Sequence, residues 1–208
     1  MKDYKCYIFD QGNVILDINP QLSLDAFTSL MDSCEADHIS ANDLLGGCDN
    51  KFITDYMLGL VTTDQFIDCL MPIMREGTTR NQIIDAWDAL ILDIPNERLN
   101  ALLKLRAEGK KVYMLSNTNE EHVRFIIEKC FKSDRCEMER YFDTLFFSNE
   151  MHLAKPSPEI FLEMICQTGI APSESIFIDD LQQNLDAAAT LGFNTLLSTG
   201  NRWLQFLL

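Results

Sequence analysis

Five short apolar runs, none of them alternating, constrain this chain more than any other feature. They are Lys5–Phe9, Lys111–Ser116, Thr144–Ser148, Ser175–Asp179 and Asn194–Ser198, rich in Val, Ile, Phe, Tyr and Leu. A strand with one wet face alternates apolar and polar side chains. A continuous apolar run belongs to a strand covered on both faces, as in a parallel sheet. Helical patterns lie between the runs. Asn96–Glu108 stops at Gly109, and Glu120–Cys130 carries Val123, Phe125, Ile126 and Ile127. Ser157–Thr168 sets Ile160, Phe161, Met164 and Ile165 on one face, and Leu181–Leu191 holds the small stripe Ala187-Ala188-Ala189. From about Pro95 to Ser198 the alternation predicts an α/β sheet flanked by helices.

The stretch from Asp17 to Leu92 breaks that rhythm. Strand patterns are weak there, and helical ones recur over Leu22–Met31, Lys51–Leu58, Thr63–Met74 and Arg80–Leu92. Thr62-Thr63-Asp64 and Thr78-Thr79 stand where helix caps are expected. The expected organisation is an α/β core of residues 1–16 and 93–208, interrupted after its first strand by a helical cap of residues 17–92. Short turns at Asp17–Pro20 and Leu92–Pro95 would join the two. With 208 residues, 47% of them hydrophobic, the chain can bury a substantial core.

Charge and cysteine usage narrow the setting. A formal charge of -15 disfavours nucleic acid and anionic membranes as partners, though not a small phosphate held by local positive potential. No apolar stretch is long enough to span a bilayer, and Met1-Lys2-Asp3-Tyr4-Lys5 carries no leader pattern. The seven cysteines (6, 34, 48, 69, 130, 136 and 166) form no CxxC pair. That scatter fits free thiols in a reducing cytoplasm, not a disulfide framework or a zinc site.

The ends of the apolar runs carry the chemistry. The first delivers Asp10 to the carboxyl edge of the sheet, where ligands bind in open α/β folds. Ser116-Asn117 ends a second run, Lys155-Pro156 precedes a helix, and Asp179-Asp180 ends a third run. Each has a bland reading. Asp10 and Ser116 suit helix caps, Lys155 suits a solvated surface, and a turn accounts for one carboxylate of Asp179-Asp180. Two adjacent carboxylates at a strand end are costly without a cation, which favours a metal there.

Four motifs in order carry a family resemblance: Phe9-Asp10-Gln11-Gly12-Asn13-Val14, Leu115-Ser116-Asn117-Thr118, Lys155-Pro156-Ser157-Pro158 and Phe177-Ile178-Asp179-Asp180. The chain resembles the haloacid dehalogenase superfamily over nearly its whole length. Asp10 to Val14 with Ser116 to His122 looks like its α-D-glucose-1-phosphate phosphatase-like subgroup. The resemblance implies a Rossmann-like core and a Mg²⁺-dependent phosphatase of a small phosphorylated metabolite, with a sugar phosphate as one candidate. Asp10 would be the nucleophile, forming an aspartyl-phosphate. Asp10, the Gly12 carbonyl and Asp180 would hold Mg²⁺, with Asp179 a ligand or outer partner. Ser116, the Asn117 amide and Lys155 would bind the phosphoryl group.

One position departs from the family pattern. Most of its phosphatases carry a second Asp two residues after the nucleophile, as acid and base. Here that residue is Gly12, followed by Asn13 and Val14. General acid–base help is typically worth ~10²–10⁴-fold, so Gly12 raises the alternative of a weak or inactive phosphate-binding module. His122 and Asp17 are the nearest substitutes in sequence. Dehalogenases of the superfamily also lack the second Asp, but they lack the Asp179-Asp180 pair as well. Elsewhere bland roles are expected: packing for Trp87, surface for His38, His152, Lys51, Arg75 and Arg80. For His122 and Asn184 structural and site roles are both open.

Overall fold

The structure is a computed structural model and describes residues 4–31, 51–132 and 134–207. Cys34, Cys48 and His38 lie outside the described residues.

The five apolar runs form one parallel sheet. Its strands are β1 (Cys6–Phe9), β2 (Lys111–Ser116), β3 (Thr144–Phe147), β4 (Ser175–Asp179) and β5 (Asn194–Leu197), in the order β3-β2-β1-β4-β5. Successive residues of β1 point to opposite layers. Tyr7 and Phe9 pack with Leu102, Leu105, Val123, Ile126 and Trp203, while Cys6 and Ile8 pack with Ile160, Phe161, Met164, Leu185 and Ala188. Both faces are therefore dry at the central strands β1, β2 and β4, which explains why these show no alternation; the edge strands β3 and β5 are only partly covered.

The layer with Tyr7 is built by α5 (Asn96–Ala107), α6 (Glu120–Cys130), α7 (Arg135–Glu139) and α11 (Arg202–Leu207). The opposite layer is built by α9 (Pro158–Thr168) and α10 (Gln182–Thr190). A one-turn helix, α8 (Ser148–Met151), follows β3 directly. Local chemistry sets several ends. Asn119 caps α6 by accepting from the His122 amide, ahead of Glu120 and Glu121 in the first turn. Gly169, at φ 67°, ends α9 in the left-handed conformation.

Between β1 and α5 lie α1 (Pro20–Leu30), α2 (Lys51–Met57), α3 (Thr63–Leu70) and α4 (Arg80–Asp88). Thr62 with Gln65, and Thr79 with Gln82, form reciprocal capping boxes at α3 and α4. These helices share their own apolar cluster, with Phe27, Tyr56, Phe66, Ile83 and Trp87 at its centre. The chain enters and leaves the cluster through a short antiparallel ladder. Asp17 N donates to Asp93 O (3.1 Å), Leu92 N to Asp17 O (3.0 Å) and Asn19 N to Leu90 O (2.8 Å).

Some boundaries differ from expectation. The fourth helix ends at Asp88, not Leu92, because Ala89 and Leu90 form a turn and the chain then runs from Ile91 into that ladder. The third ends at Leu70 and continues only as a 3₁₀ turn, Met71–Ile73, since Pro72 supplies no amide proton. The run Thr144–Ser148 gives up Ser148 to α8.

Candidate active site

β1 is the central strand, with β2 on one side and β4 on the other. Its carboxyl end is thus the point where the strand order reverses, the usual ligand crevice of an open α/β sheet. The parallel register pairs Phe9 with Ile178, and Asp10 N donates to Ile178 O at 2.8 Å. Asp10 and Asp179 therefore leave neighbouring strands side by side.

Lys155 joins them. Its ammonium is buried, donates to Asp179 Oδ2 at 2.8 Å and to Asp10 Oδ1, and lies over the Phe177 ring. The lysine sits on the loop before α9, and Asn117 clasps its backbone there. Asn117 Nδ2 donates to Lys155 O (2.8 Å), and Lys155 N donates to Asn117 Oδ1 (2.9 Å). The Asn117 side chain is thus committed to placing Lys155. The remaining carboxylate capacity of Asp179 is also taken. Leu181 N donates to Oδ1 (2.8 Å), and Asn184 Nδ2 lies 3.0 and 3.1 Å from the two oxygens. Asn184 is buried and braces the acidic loop.

Asp180 is held differently. Asn13, in the left-handed conformation at φ 56°, donates Nδ2 to Asp180 Oδ2 at 2.9 Å. Ser116, buried at the end of β2, donates its hydroxyl to Gln11 Oε1 at 3.2 Å. Asn119, not Ser116, caps the following helix. The structure therefore brings Asp10, Asp179 and Lys155 into direct contact, with Asn117 and Asn184 supporting them.

The electrostatics follow from burial. Asp10 is pushed up to about 6, first by desolvation and then by Asp179 and Asp180, with Lys155 opposing. Asp180 is also raised by burial, with Asn13 pulling against it. Burial alone would lower the Lys155 ammonium, but the charges of Asp10 and Asp179 outweigh it and hold the group above its ordinary value. Three carboxylates thus face one ammonium, an imbalance that suits a cation.

The donor set fits a hard one. It offers oxygen alone, and among the described residues no three His, Cys, Asp or Glu side chains converge at ligand distance. Mg²⁺ takes few protein carboxylates and completes its shell with water and substrate, a demand that carboxylate and backbone oxygens at these strand ends can meet.

Neither sequence candidate for a substitute acid is free at the strand ends. His122 is buried against Trp87, its ring stacked at 5.0 Å. Nε2 donates to Trp87 O (3.1 Å) and Nδ1 accepts from Asn119 Nδ2 (3.1 Å). Burial pushes it down to about 4, so it is a neutral structural group at pH 7. Asp17 pairs with Arg98 Nη2 at 2.7 Å. A Cβ at Gly12 would stand 3.3 Å from Ile18 Cδ1, so Ile18, in the ladder that leads into the helical insert, borders the space where a side chain there would begin.

Other residues find bland partners. Lys51 pairs with Asp55, Arg80 with Asp64 and Asp68, and exposed His152 meets Leu58 O at 2.7 Å. The described cysteines, 6, 69, 130, 136 and 166, are free thiols.

A model of the haloacid dehalogenase-like hydrolase family matches residues 4–192. The chain belongs to that family. Within it, the chain is 29% identical to D-ribitol-5-phosphate phosphatase of Bacteroides thetaiotaomicron, over 97% of its own length and 95% of the relative's. A sesquiterpene phosphatase of Aspergillus oryzae is 29% identical over 91% and 87% of the two chains. Among solved structures, a haloacid dehalogenase family enzyme of B. thetaiotaomicron in complex with magnesium and inorganic phosphate superposes with a TM-score of 0.85. It is 32% identical, and the match covers 99% of this chain and 100% of that one. These two relatives are phosphatases and are matched along most of their length, and the chain is a phosphatase of this hydrolase family. Gln11, Asn13 and Asn184 were the site neighbours that family motifs did not mark for a role. The signal for Asn184 was only its spacing of four residues from Asp180.

Proposed function

We propose that the chain is a Mg²⁺-dependent phosphatase of a small phosphorylated metabolite, of the sugar or polyol phosphate class, acting in the cytoplasm. The observation that carries this reading is Lys155, buried between Asp10 and Asp179 at the strand-order reversal. Asp10 is the nucleophile: its carboxylate attacks phosphorus, the P–O bond to the leaving group breaks, and an aspartyl-phosphate forms. Water then cleaves that acyl phosphate and frees Asp10. Lys155 neutralises charge on the phosphoryl oxygens, and Ser116 and the Asn117 backbone amide bind them. Such contacts dominate phosphoryl transfer, which depends on positioning and electrostatics.

Asp10, the Gly12 carbonyl and Asp180 would hold magnesium, which when bound offsets the charge between carboxylate and phosphate. Asp179 acts from outside, because Lys155, Asn184 and the Leu181 amide already occupy its oxygens. Residues 17–92 serve as the cap over the site. The magnesium and phosphate complex of the relative supports the metal and anion, and the ribitol phosphate relative supports the substrate class.

Gly12 favours a second reading, a phosphate-binding module with little turnover. Phosphate release from a panel holding D-ribitol 5-phosphate and α-D-glucose 1-phosphate, with and without Mg²⁺ and beside Asp10→Asn, separates the two. Metal-dependent release lost in Asp10→Asn is expected. Release that survives both chelation and the mutation overturns the mechanism, and phosphate binding without release selects the second reading.

A further inference from the structure

Gln11 follows Asp10 directly, and its side chain is poorly matched to its surroundings. The residue is 3% exposed. A carboxamide brings two donor hydrogens and two acceptor lone pairs. Here it makes a single bond, accepting the Ser116 hydroxyl on Oε1 at 3.2 Å, while Nε2 is buried with no partner. Turning the amide by 180° would give Ser116 a donor and orphan Oε1 instead, so neither orientation satisfies both ends.

The backbone does not need this residue type. Gln11 O accepts from Ile15 N (2.9 Å) and Leu16 N (2.8 Å), bonds that any residue would make. A methionine of similar length would fill the space without burying an amide. Unsatisfied buried donors are rare and call for an explanation, which at such a place is a ligand. This donor belongs to the residue after Asp10, the proposed nucleophile, and lies one hydrogen bond from Ser116, proposed to bind the phosphoryl group.

We propose that Gln11 is a substrate-binding residue whose carboxamide N–H donates to a phosphoryl oxygen beside Ser116; this rests on the phosphatase reading. Gln11 Oε1 takes the one hydroxyl proton of Ser116, which leaves Nε2 as the end of the side chain with no partner. Held in this orientation, Nε2 gives the phosphoryl group an N–H at a position where side-chain acid–base help from residue 12 is missing.

The test is calorimetric titration of the full chain with inorganic phosphate in the presence of Mg²⁺, for wild type, Gln11→Met and Gln11→Glu, with thermal melts of each. Gln11→Met is expected to weaken phosphate binding about tenfold or more, the worth of one hydrogen bond to a charged group, with no fall in melting temperature. Gln11→Glu keeps the acceptor for Ser116 but adds negative charge and offers no N–H, and is expected to bind more weakly still. A Gln11→Met protein within twofold of wild type overturns the inference. So does a loss of affinity that comes with a melting point several degrees lower, since that marks a structural residue. Wild type that neither binds phosphate nor releases it from any ester removes the phosphatase reading and the inference with it.

Discussion

Lys155 and Asp179 form a buried ion pair, 2.8 Å from ammonium to carboxylate, and the same ammonium also reaches Asp10. One lysine thus ties the ends of β1 and β4 to the loop before α9. A buried pair is weak evidence for stability, but breaking one leaves an uncompensated charge.

Lys155→Met should therefore be costly on both counts. Stability at pH 8 is expected to fall by about 3–5 kcal/mol, and turnover by at least ~10²-fold, as for loss of a positioned electrostatic donor. Without the ammonium the Asp10 carboxyl titrates higher still. A raised folded-state value means that the folded chain binds the extra proton, so the deficit should shrink as pH falls through about 6. Urea melts at pH 8 and pH 5.5 check this; an equal deficit at both would count against the assignment.

Asp88 and His122 shape opposite limbs of the stability–pH curve. Asp88 ends α4, buried beside Glu121 of α6; its Oδ1 has no hydrogen-bond partner and lies 3.9 Å from His122 Nε2. Burial, then the like charge of Glu121, pushes it up to about 9, with Arg124 opposing. Between its ordinary value near ~4 and about 9, the folded chain holds one proton more than the unfolded chain. Stability therefore declines as pH rises through that window. His122, pushed down to about 4, works the other way. Its contribution is complete above ~6.5 and is lost as pH falls towards about 4. Asp88→Asn should raise the melting temperature at pH 8.5 by a few degrees, at about 2–4 °C per kcal/mol for a chain of this size, and change little at pH 5. Melting curves at the two values decide it.

Gly59 marks where the α2 end of the helical insert meets the core. Its φ is +66°, and a Cβ there would lie 2.1 Å from the Asn149 backbone oxygen. Around it Ser148 Oγ donates to Met57 O (2.7 Å) and His152 bonds Leu58 O. No side-chain rotation relieves a clash with backbone, so Gly59→Ala must shift this contact. A loss of at least ~1–3 kcal/mol is expected from the strained conformation alone, with faster amide exchange at Met57–Gly59. Unchanged exchange there would show that the contact is not what Gly59 secures.

The three central strands were legible because burial on both faces leaves little choice of side chain, as Ile8, Met114 and Ile178, all fully buried, show; the edge strands β3 and β5 are only partly covered and were read from their apolar composition. Asp10, Ser116, Lys155 and Asp179-Asp180 were legible because they stand at strand ends or beside a helix start. Short helices were not. Arg135–Glu139, Ser148–Met151 and Arg202–Leu207 span fewer than two turns, too few for a period to show. Nor was the support of the site readable. Asn117 reads as a phosphate contact, yet its side chain serves the Lys155 backbone, 38 residues on. Arg98 belongs to no motif, and only folding brings Ile15 and Asn201 to it. Partnerships over such separations leave no local pattern.

Arg98 anchors the segment between Asp10 and the ladder that leads into the helical insert. Three successive carbonyls there accept from remote donors: Asn13 O from Gly200 N (2.6 Å), Val14 O from Trp203 Nε1 (2.9 Å) and Ile15 O from Arg98 Nη1 (3.1 Å). Arg98, itself buried, also bonds Asn201 Oδ1 through Nε (2.7 Å) and Asp17 through Nη2. The clamp fixes Asn13, and Asn13 holds Asp180. Arg98→Met should cost about 1–3 kcal/mol, because it strands the buried Ile15 carbonyl while half-exposed Asp17 can turn to water, and it should lower kcat by loosening the Asn13–Asp180 contact. Arg98→Lys keeps one charge for Asp17 but lacks the planar fork that serves three acceptors at once. Its stability and kcat should fall between wild type and Arg98→Met. Urea melts and steady-state kinetics on the three proteins test the clamp. A lysine variant with wild-type kcat and stability would show that charge alone holds this loop.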